Sequence, residues 1–348
     1  MKFIKAVIKK LKLFVLYFVR IVFAKNHFKV PFYKKLKANL FGGYLADQYA
    51  LYDFDHNDRH EYLSEFDWYK SRYINEPFDF MLNNKVVCSL VLGQYIRVAK
   101  TYAVKNRKHI TSDDDKITTY EDIINLLKRE RKLIIKPYGR GKGIGVYMFK
   151  YENGRFYIGL DETDELGIID VLKKNDNWML TEYINQHKYL NDIFDKTANT
   201  IRLITLRDPK TQKIKVFFAV QRIGTSKTVP VDNGSEGALI SKIDLETGEL
   251  SEARTLHNHN VYEYHPDTSA PIKGAFVPGW DKIKEEILAL ANKVSFMNFV
   301  AWDILVTEEG LCIIEANTSS GVNIIQLWGG QRNGELGDFY RYHKVIRK

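Results

Sequence analysis

FVAWDILVTEEGLCIIEANTSSG, residues 299–321, reads as two apolar strands joined by a tight turn at Glu308-Glu309-Gly310. Asp303 stands in mid-run of the first strand, and Glu315 and Asn317 close the second. Antiparallel pairing sets Asp303 beside Glu315, and the i, i+2 relation puts Glu315 and Asn317 on one face. Two carboxylates side by side in an apolar sheet repel each other and need a cation. An all-oxygen Asp, Glu and Asn set suits Mg²⁺, with phosphate oxygens and water completing the octahedron. The competing reading is a pair of exposed strand carboxylates. The flanks Ala301, Trp302, Ile304, Ile313, Ile314 and Ala316 argue against it.

Upstream, WDKIKEEILALANKVSF (280–296) has helical spacing, and TIRLITLR (200–207), KIKVFFAVQRIG (213–224) and GALISKIDL (237–245) read as strands. NWMLTEYI (177–184) is a buried strand and DELGIIDVLKK (164–174) a helix. VYMFKYENGRFYIG (146–159) is a hairpin turning at Asn153-Gly154, KLIIKP (132–137) a short strand, and YEDIINLLKRER (120–131) an amphipathic helix. Two strand-rich lobes thus flank Thr181-Glu182-Tyr183-Ile184, and a site is expected in the cleft between them.

Between KLIIKP and the hairpin lies YGRGKGIG. Lys136 leaves a strand just before Gly139-Arg140-Gly141-Lys142-Gly143-Ile144-Gly145. Glycines at alternate positions free backbone N–H groups to approach an anion, with the Lys136 ammonium above a phosphate. No GK[ST] leads into a helix, and a hairpin rather than a helix follows. Neither the Walker nor the dinucleotide pattern therefore applies. A phosphate-covering flap and a plain tight turn both remain open on the loop alone.

Composition excludes several classes. With 45% hydrophobic residues, 21 Tyr and 20 Phe, the 348-residue chain buries a large core. Cys88 and Cys312 form no CxxC motif, which argues against a disulfide framework or structural zinc and fits a reducing compartment. Eleven of the 52 basic residues precede Asp47, the first acidic residue. The rest of the chain carries 41 basic against 43 acidic residues, so the body is no binder of nucleic acid by composition. Residues 25–80 read as helices without assigned chemistry, and Asp53, Asp55, His56 and Asp58 as solvated loop positions.

The basic segment FIKAVIKKLKLFVLYFVRIVFAK (3–25) carries apolar residues at helical spacing. Lys12 and Arg20 interrupt it, which disfavours a spanning helix and a secretory signal. Two readings stay open. One is an in-plane helix on anionic lipid of the inner leaflet through residues 1–25; the other is an ordinary helix packed on the body.

The KP-plus-glycine-loop hairpin, the TEYI strand and the WD…EAN pair resemble the ATP-grasp superfamily. Glu315–Gly321 (EANTSSG) looks like the metal and substrate loop of the D-alanine–D-alanine ligases. Asn199–Thr205 (NTIRLIT), Val231–Gly248, His265–Trp280 and Ile324–Gly329 (IIQLWG) resemble the sugar-transfer-associated ATP-grasp family of bacterial surface-polysaccharide synthesis. The resemblance covers roughly residues 80–330 and implies an α+β fold. Two α+β lobes with antiparallel sheets would grip ATP, preceded by a helical N-terminal region. Residues 1–46 are the basic amphipathic segment, 47–114 the helical lead-in, 115–181 the small lobe with the glycine loop, and 182–348 the large lobe with the metal and substrate site.

The resemblance also implies roles. Lys136 binds the α- and β-phosphates, and Lys85, in Asn83-Asn84-Lys85, stands where the superfamily has the lysine of an aspartate–lysine pair, with Asn84 in place of the aspartate. Gly139, Arg140, Gly141, Lys142 and Gly143 cover them. Glu182, Tyr183 and Ile184 hold adenine at the interlobe hinge. Asp303, Glu315 and Asn317 hold magnesium, Arg202 faces the γ-phosphate and acyl phosphate, and Gly321 lets the backbone approach the acyl oxygen. An arginine mid-strand between Ile201 and Leu203 also requires an anion nearby on physical grounds. The expected reaction is ATP- and Mg-dependent joining of a carboxylate, an amino acid, to an amine or sugar acceptor. The expected setting is cytoplasmic or peripheral on the inner membrane face, in capsule or other polysaccharide synthesis. The alternatives are a kinase for a sugar hydroxyl and a non-catalytic nucleotide-binding scaffold.

Overall fold

The computed structural model describes residues 2–40, 42–139 and 143–347. Arg140, Gly141 and Lys142 lie outside the described residues.

The N-terminal quarter is helical: α1 (Lys2–Tyr17), α2 (Phe32–Leu40), α3 (Ala46–Leu51), α4 (Glu65–Ser71), α5 (Asp79–Asn83) and α6 (Lys85–Leu92). A π-helical turn, Phe18–Val22, prolongs α1. Strands β1 (Thr101–Asn106) and β2 (His109–Thr111) follow. Then come α7 (Tyr120–Glu130), β3 (Lys132–Lys136), β4 (Tyr147–Glu152), β5 (Arg155–Ile158), β6 (Asp161–Thr163), α8 (Glu165–Lys174) and β7 (Asn177–Glu182). These strands form one antiparallel sheet in the order β2-β1-β7-β3-β4-β5-β6. The remaining elements are α9 (Lys188–Ile193), β8 (Ile201–Arg207), β9 (Ile214–Ile223), β10 (Leu239–Ile243), β11 (Leu250–Arg254), β12 (Val261–Tyr262), α10 (Trp280–Lys293), β13 (Phe299–Thr307), β14 (Gly310–Asn317), α11 (Val322–Ile325) and α12 (Glu335–Tyr342). Their strands form the second antiparallel sheet, β12-β11-β10-β9-β8-β13-β14.

One boundary differs from the sequence reading. The segment 47–114, read as helical, contributes β1 and β2, and β1 pairs directly with β7 inside the small-lobe sheet. The small lobe therefore begins near residue 101 and not at 115. β1 is only six residues long, polar at both ends, and follows a helical stretch, so periodicity alone gave it no weight.

Local chemistry explains the small lobe. Thr119 and Asp122 form a capping box at the start of α7, and Ile123, Ile124, Leu126 and Leu127 bury one face against Leu133, Ile135 and Phe149. Lys105, buried on β1, donates to the carbonyls of Leu172, Lys173 and Asn175 and so caps the C-terminus of α8.

The large sheet is covered on both faces, which is why its strands read as continuous apolar runs. Leu203, Ala219, Trp302 and Ile304 pack with Ile283 and Ile287 of α10. Ile204, Phe218, Phe299 and Ala301 pack on the opposite face with Leu336 and Phe339 of α12. Along β13 this second face continues to Asp303 and then Leu305, so one strand face runs from core to polar cluster to interlobe contact.

Asn75 ties the helical region to this sheet. Its side chain accepts from the amides of Asn298 (2.8 Å) and Phe299 (3.3 Å) and donates to the carbonyls of Phe299 (2.6 Å) and Thr318 (3.4 Å). Asn75→Leu strands these buried groups and is expected to lower stability by about 2 kcal/mol or more. Urea unfolding with an unchanged slope is the measurement; a loss under about 0.5 kcal/mol would place Asn75 among neutral positions.

Candidate active site

Four neighbouring strands present a row of charge on one face of the large sheet. Asp303 on β13 is registered with Arg202 on β8 and with Glu315 on β14, and Arg222 lies on β9 two residues beyond Val220, the register partner of Arg202. A β-bulge makes this possible. Ile304 pairs with Ile313 and Asp303 with Glu315, so Ile314 is the extra residue. The bulge shifts the alternation, so that Cys312, Ile314 and Glu315 all sit toward the interlobe side.

Arg202 grips Asp303 with both ends of its fork: Nε to Oδ1 at 2.7 Å and Nη2 to Oδ2 at 2.8 Å. Arg222 adds Nη2 to Oδ2 at 3.3 Å. Burial opposes the Asp303 charge, but the two guanidinium groups outweigh it and hold the carboxyl below its usual range. The same pairing raises the Arg202 pKa against the burial that lowers it. Arg222 Nε donates to Thr200 Oγ1 at 3.1 Å and lies 3.5 Å from Asp232, whose Oδ2 accepts from Thr200 N and Oγ1. Burial pushes the Asp232 carboxyl up, and Arg222 and the Thr200 bonds pull it back.

These contacts bear on two expectations. Asp303 supplies the anion that an arginine between Ile201 and Leu203 requires on physical grounds. The repulsion between Asp303 and Glu315 is already relieved by arginine and lysine, so it does not by itself demand a metal. The physical reason is cross-strand charge pairing between segments about a hundred residues apart, which no local pattern shows. Arg222, Asp232 and Thr200 were missed. Their signal was AVQRIG, an arginine within an apolar run like that of Arg202.

Lys85 and Lys136 complete the cluster from outside the sheet. Asn84 caps α6 by accepting from the amides of Val86 and Val87, which sets Lys85 at the first turn with Nζ 3.2 Å from Glu315 Oε1. Lys136, at the end of β3, is 7% exposed. Its hydrogen-bond partner among the described residues is the bulge carbonyl of Ile314, at 3.5 Å. Burial pushes its ammonium down, and Glu315 works against that shift. Around the cleft, Lys85, Lys136, Arg202 and Arg222 face Asp232, Asp303 and Glu315: four cations against three carboxylates. The excess is positive and partly desolvated, which favours a bound anion.

The donor set fits a hard cation bound together with that anion. Glu315 is half-buried beside Lys85, and the half-buried Asn317 side chain makes no hydrogen bond among the described residues. Asp303 Oδ1 accepts a single arginine N–H and retains a lone pair. Gly321 has negative φ and open space where a Cβ would lie, so neither backbone nor packing requires glycine there. Gly139 likewise faces open space. Gly143 has φ +69°, and a Cβ there would lie 3.2 Å from Val231, so the described end of the glycine loop rests on the large lobe.

At the hinge, Glu182 Oε1 accepts from Lys100 N at 2.8 Å and Glu182 N donates to Lys100 O at 3.0 Å. Ile184 packs with Ala99, Leu305, Cys312 and Ile314, and Lys132 Nζ lies 4.7 Å from the Tyr183 ring centre. The sequence-predicted residues Lys85, Lys136, Arg202, Asp303 and Glu315 are thus brought together, with Ile184 in an apolar patch beside them.

Residues 66–334 match the family described as sugar-transfer associated ATP-grasp. A search of curated proteins gives no match. Similar solved structures include the biotin carboxylase domain of 2-oxoglutarate carboxylase from Hydrogenobacter thermophilus, in complex with MgADP, ADP and bicarbonate. It shares 12% identity over 77% of this chain and 47% of that chain, with a TM-score of 0.44. N5-carboxyaminoimidazole synthetase from Staphylococcus aureus, complexed with ADP, shares 11% over 69% and 44%, TM-score 0.39. The D-alanine-D-alanine ligase from Coxiella burnetii shares 14% over 70% and 49%, TM-score 0.38. The chain spans about half the length of these structures.

Neither thiol is poised as a nucleophile. Burial pushes both Cys88 and Cys312 up to about 11. At pH 8 roughly one thiol in a thousand is ionised, so iodoacetamide should leave both unmodified in the native protein and alkylate both in urea. The native rate should climb about tenfold per pH unit until pH nears the thiol pKa, because only the thiolate reacts. Intact-mass measurement of rapid labelling at pH 8 without urea would overturn this.

Proposed function

The chain belongs to the sugar-transfer-associated ATP-grasp family, and from that premise we propose an ATP- and Mg²⁺-dependent ligase that activates a carboxylate and joins it to an amine. The observation that carries the reading is Lys136, a buried amine with Glu315 nearby, whose one hydrogen bond among the described residues goes to a carbonyl at the outer limit of hydrogen bonding. A buried cation in that state calls for an anion, and a nucleotide phosphate supplies it.

In this reading the γ-phosphoryl group passes to a carboxylate oxygen, giving an acyl phosphate and ADP. The amine nitrogen then attacks the acyl carbon, the amide bond forms and phosphate leaves. Asp303, Glu315 and Asn317 would hold Mg²⁺, which supplies charge neutralisation at the transferring group. Lys85 and Lys136 bind phosphate oxygens from either side of Glu315. Arg202 and Arg222 orient the Asp303 carboxylate and add positive charge behind it. Ile184 and its apolar neighbours give adenine a surface at the hinge, with Glu182 and Tyr183 beside it. The loop from Gly139 through Arg140, Gly141 and Lys142 to Gly143 covers the phosphates, and its seat on Val231 keeps water out. Gly321 leaves room for the acyl oxygen. The acid is an amino acid and the acceptor an amino group on a sugar of a bacterial surface polysaccharide; the family description supports the sugar.

Glu315→Gln, nearly isosteric, should keep the melting temperature and cut ADP release by on the order of 10²-fold. Lys136→Met should raise KM for ATP and lower kcat. ADP release is screened across amino acids with amino-sugar acceptors, and the product is read by mass spectrometry. An amide supports the ligase; a phosphate ester or absence of turnover in the wild-type protein refutes it.

A further inference from the structure

The chemistry above leaves residues 4–40 unused. On α1, Ile4, Val7, Ile8, Leu11 and Val15 are all exposed, between 47% and 62%. At 100° per residue they fall within an arc of about 100° on the helix surface. Phe32, Tyr33, Leu36 and Leu40 of α2 are exposed as well, up to 78% at Phe32. Single exposed apolar residues are ordinary, but a row of this length marks an interaction surface.

The opposite side of α1 is occupied. Leu13, Phe14, Tyr17 and, just beyond the helix, Phe18 line a groove with Phe66 of α4, and the Tyr17 ring meets Phe66 edge-on at 5.1 Å. The Tyr17 hydroxyl donates to Asn39 O, Lys9 lies over the Tyr73 ring, and Ile21 is buried. The helix is therefore packed on the body and still presents an apolar stripe outward.

Charge selects the occupant. No acidic residue precedes Asp47, and Asp47 and Asp55 are engaged by His27 and Lys34. Lys10, Lys12, Arg20, Lys25, Lys29 and Lys37 are exposed, with no ion-pair partner among the described residues. A second copy would bring like charges together, whereas an anionic bilayer matches both the lysines and the apolar stripe. No helix of the described residues is long and apolar enough to cross a membrane. We propose that α1 and α2 form a rigid platform that seats this protein in the plane of an anionic phospholipid bilayer, inserting the α1 stripe and the Phe32–Leu40 face. The proposal is independent of the ligase reading.

The test uses the full chain and sedimentation with vesicles of phosphatidylcholine, with or without about 30 mol % phosphatidylglycerol. Wild type should bind the anionic vesicles at least about tenfold better than the neutral ones, and salt should weaken that binding only in part, because screening spares insertion. Leu11→Glu with Val15→Glu should lower binding about tenfold or more. Phe32→Glu with Leu36→Glu, on the other helix, should lower it several-fold. All these positions are exposed, so melting temperature and ADP release should match wild type. Failure of wild type to bind anionic vesicles at low salt overturns the proposal. So does equal binding by both variants, or a wild-type dimer that the glutamates dissociate while lipid binding is absent.

Discussion

The bidentate pair between Arg202 and Asp303 organises the centre of the large lobe. The two residues sit on neighbouring strands, Asp303 buried and Arg202 nearly so, and each meets most of the other's charge. Removing one partner of such a pair costs about 3–5 kcal/mol, because the remaining charge is left desolvated. The pair thereby fixes the register of β8 against β13. Given that register, the Ile314 bulge sets Glu315 opposite Asp303, and Glu315 in turn receives Lys85. The order of dependence runs outward from one ion pair.

What was legible in the sequence follows from range. The Glu308-Glu309-Gly310 turn fixes a local hairpin, so the pairing of Asp303 with Glu315 could be read directly. The bulge could not, because nothing in GLCIIEAN distinguishes a bulged isoleucine from a regular one. Arg202 was legible as a buried cation in want of an anion. Its partner was not, since Asp303 is 101 positions away. The same limit hid Arg222 and Asp232. Two adjacent carboxylates told of nearby positive charge but not whether metal, arginine or lysine supplies it, and here the protein supplies part. β1 escaped notice because six half-polar residues carry little periodic signal, although the sheet needs it beside β7.

The N-terminal helix shows a different limit. Its apolar residues occupy more than one face: Leu13, Tyr17 and Ile21 turn to the body while Leu11, Val15 and Val19 turn away. A periodicity plot merges these into one broad stripe. Only contacts with α4 and α2 separate the part that is core from the part that is surface.

The hinge segment is bonded to both sheets. Residues 97–100 link α6 to β1, and they touch both lobes: Ile313 N donates to Arg97 O, and Lys100 and Glu182 exchange bonds. Lys85 N donates to Tyr138 O just ahead of the glycine loop, so the lysine that meets Glu315 is tied to the segment leading into that loop. Lys136 reaches from the small-lobe sheet to the bulge carbonyl of the large one. In the proposed reading, a nucleotide phosphate between the lobes would meet cations carried by both, and its attraction to each would offset the desolvation of Lys136.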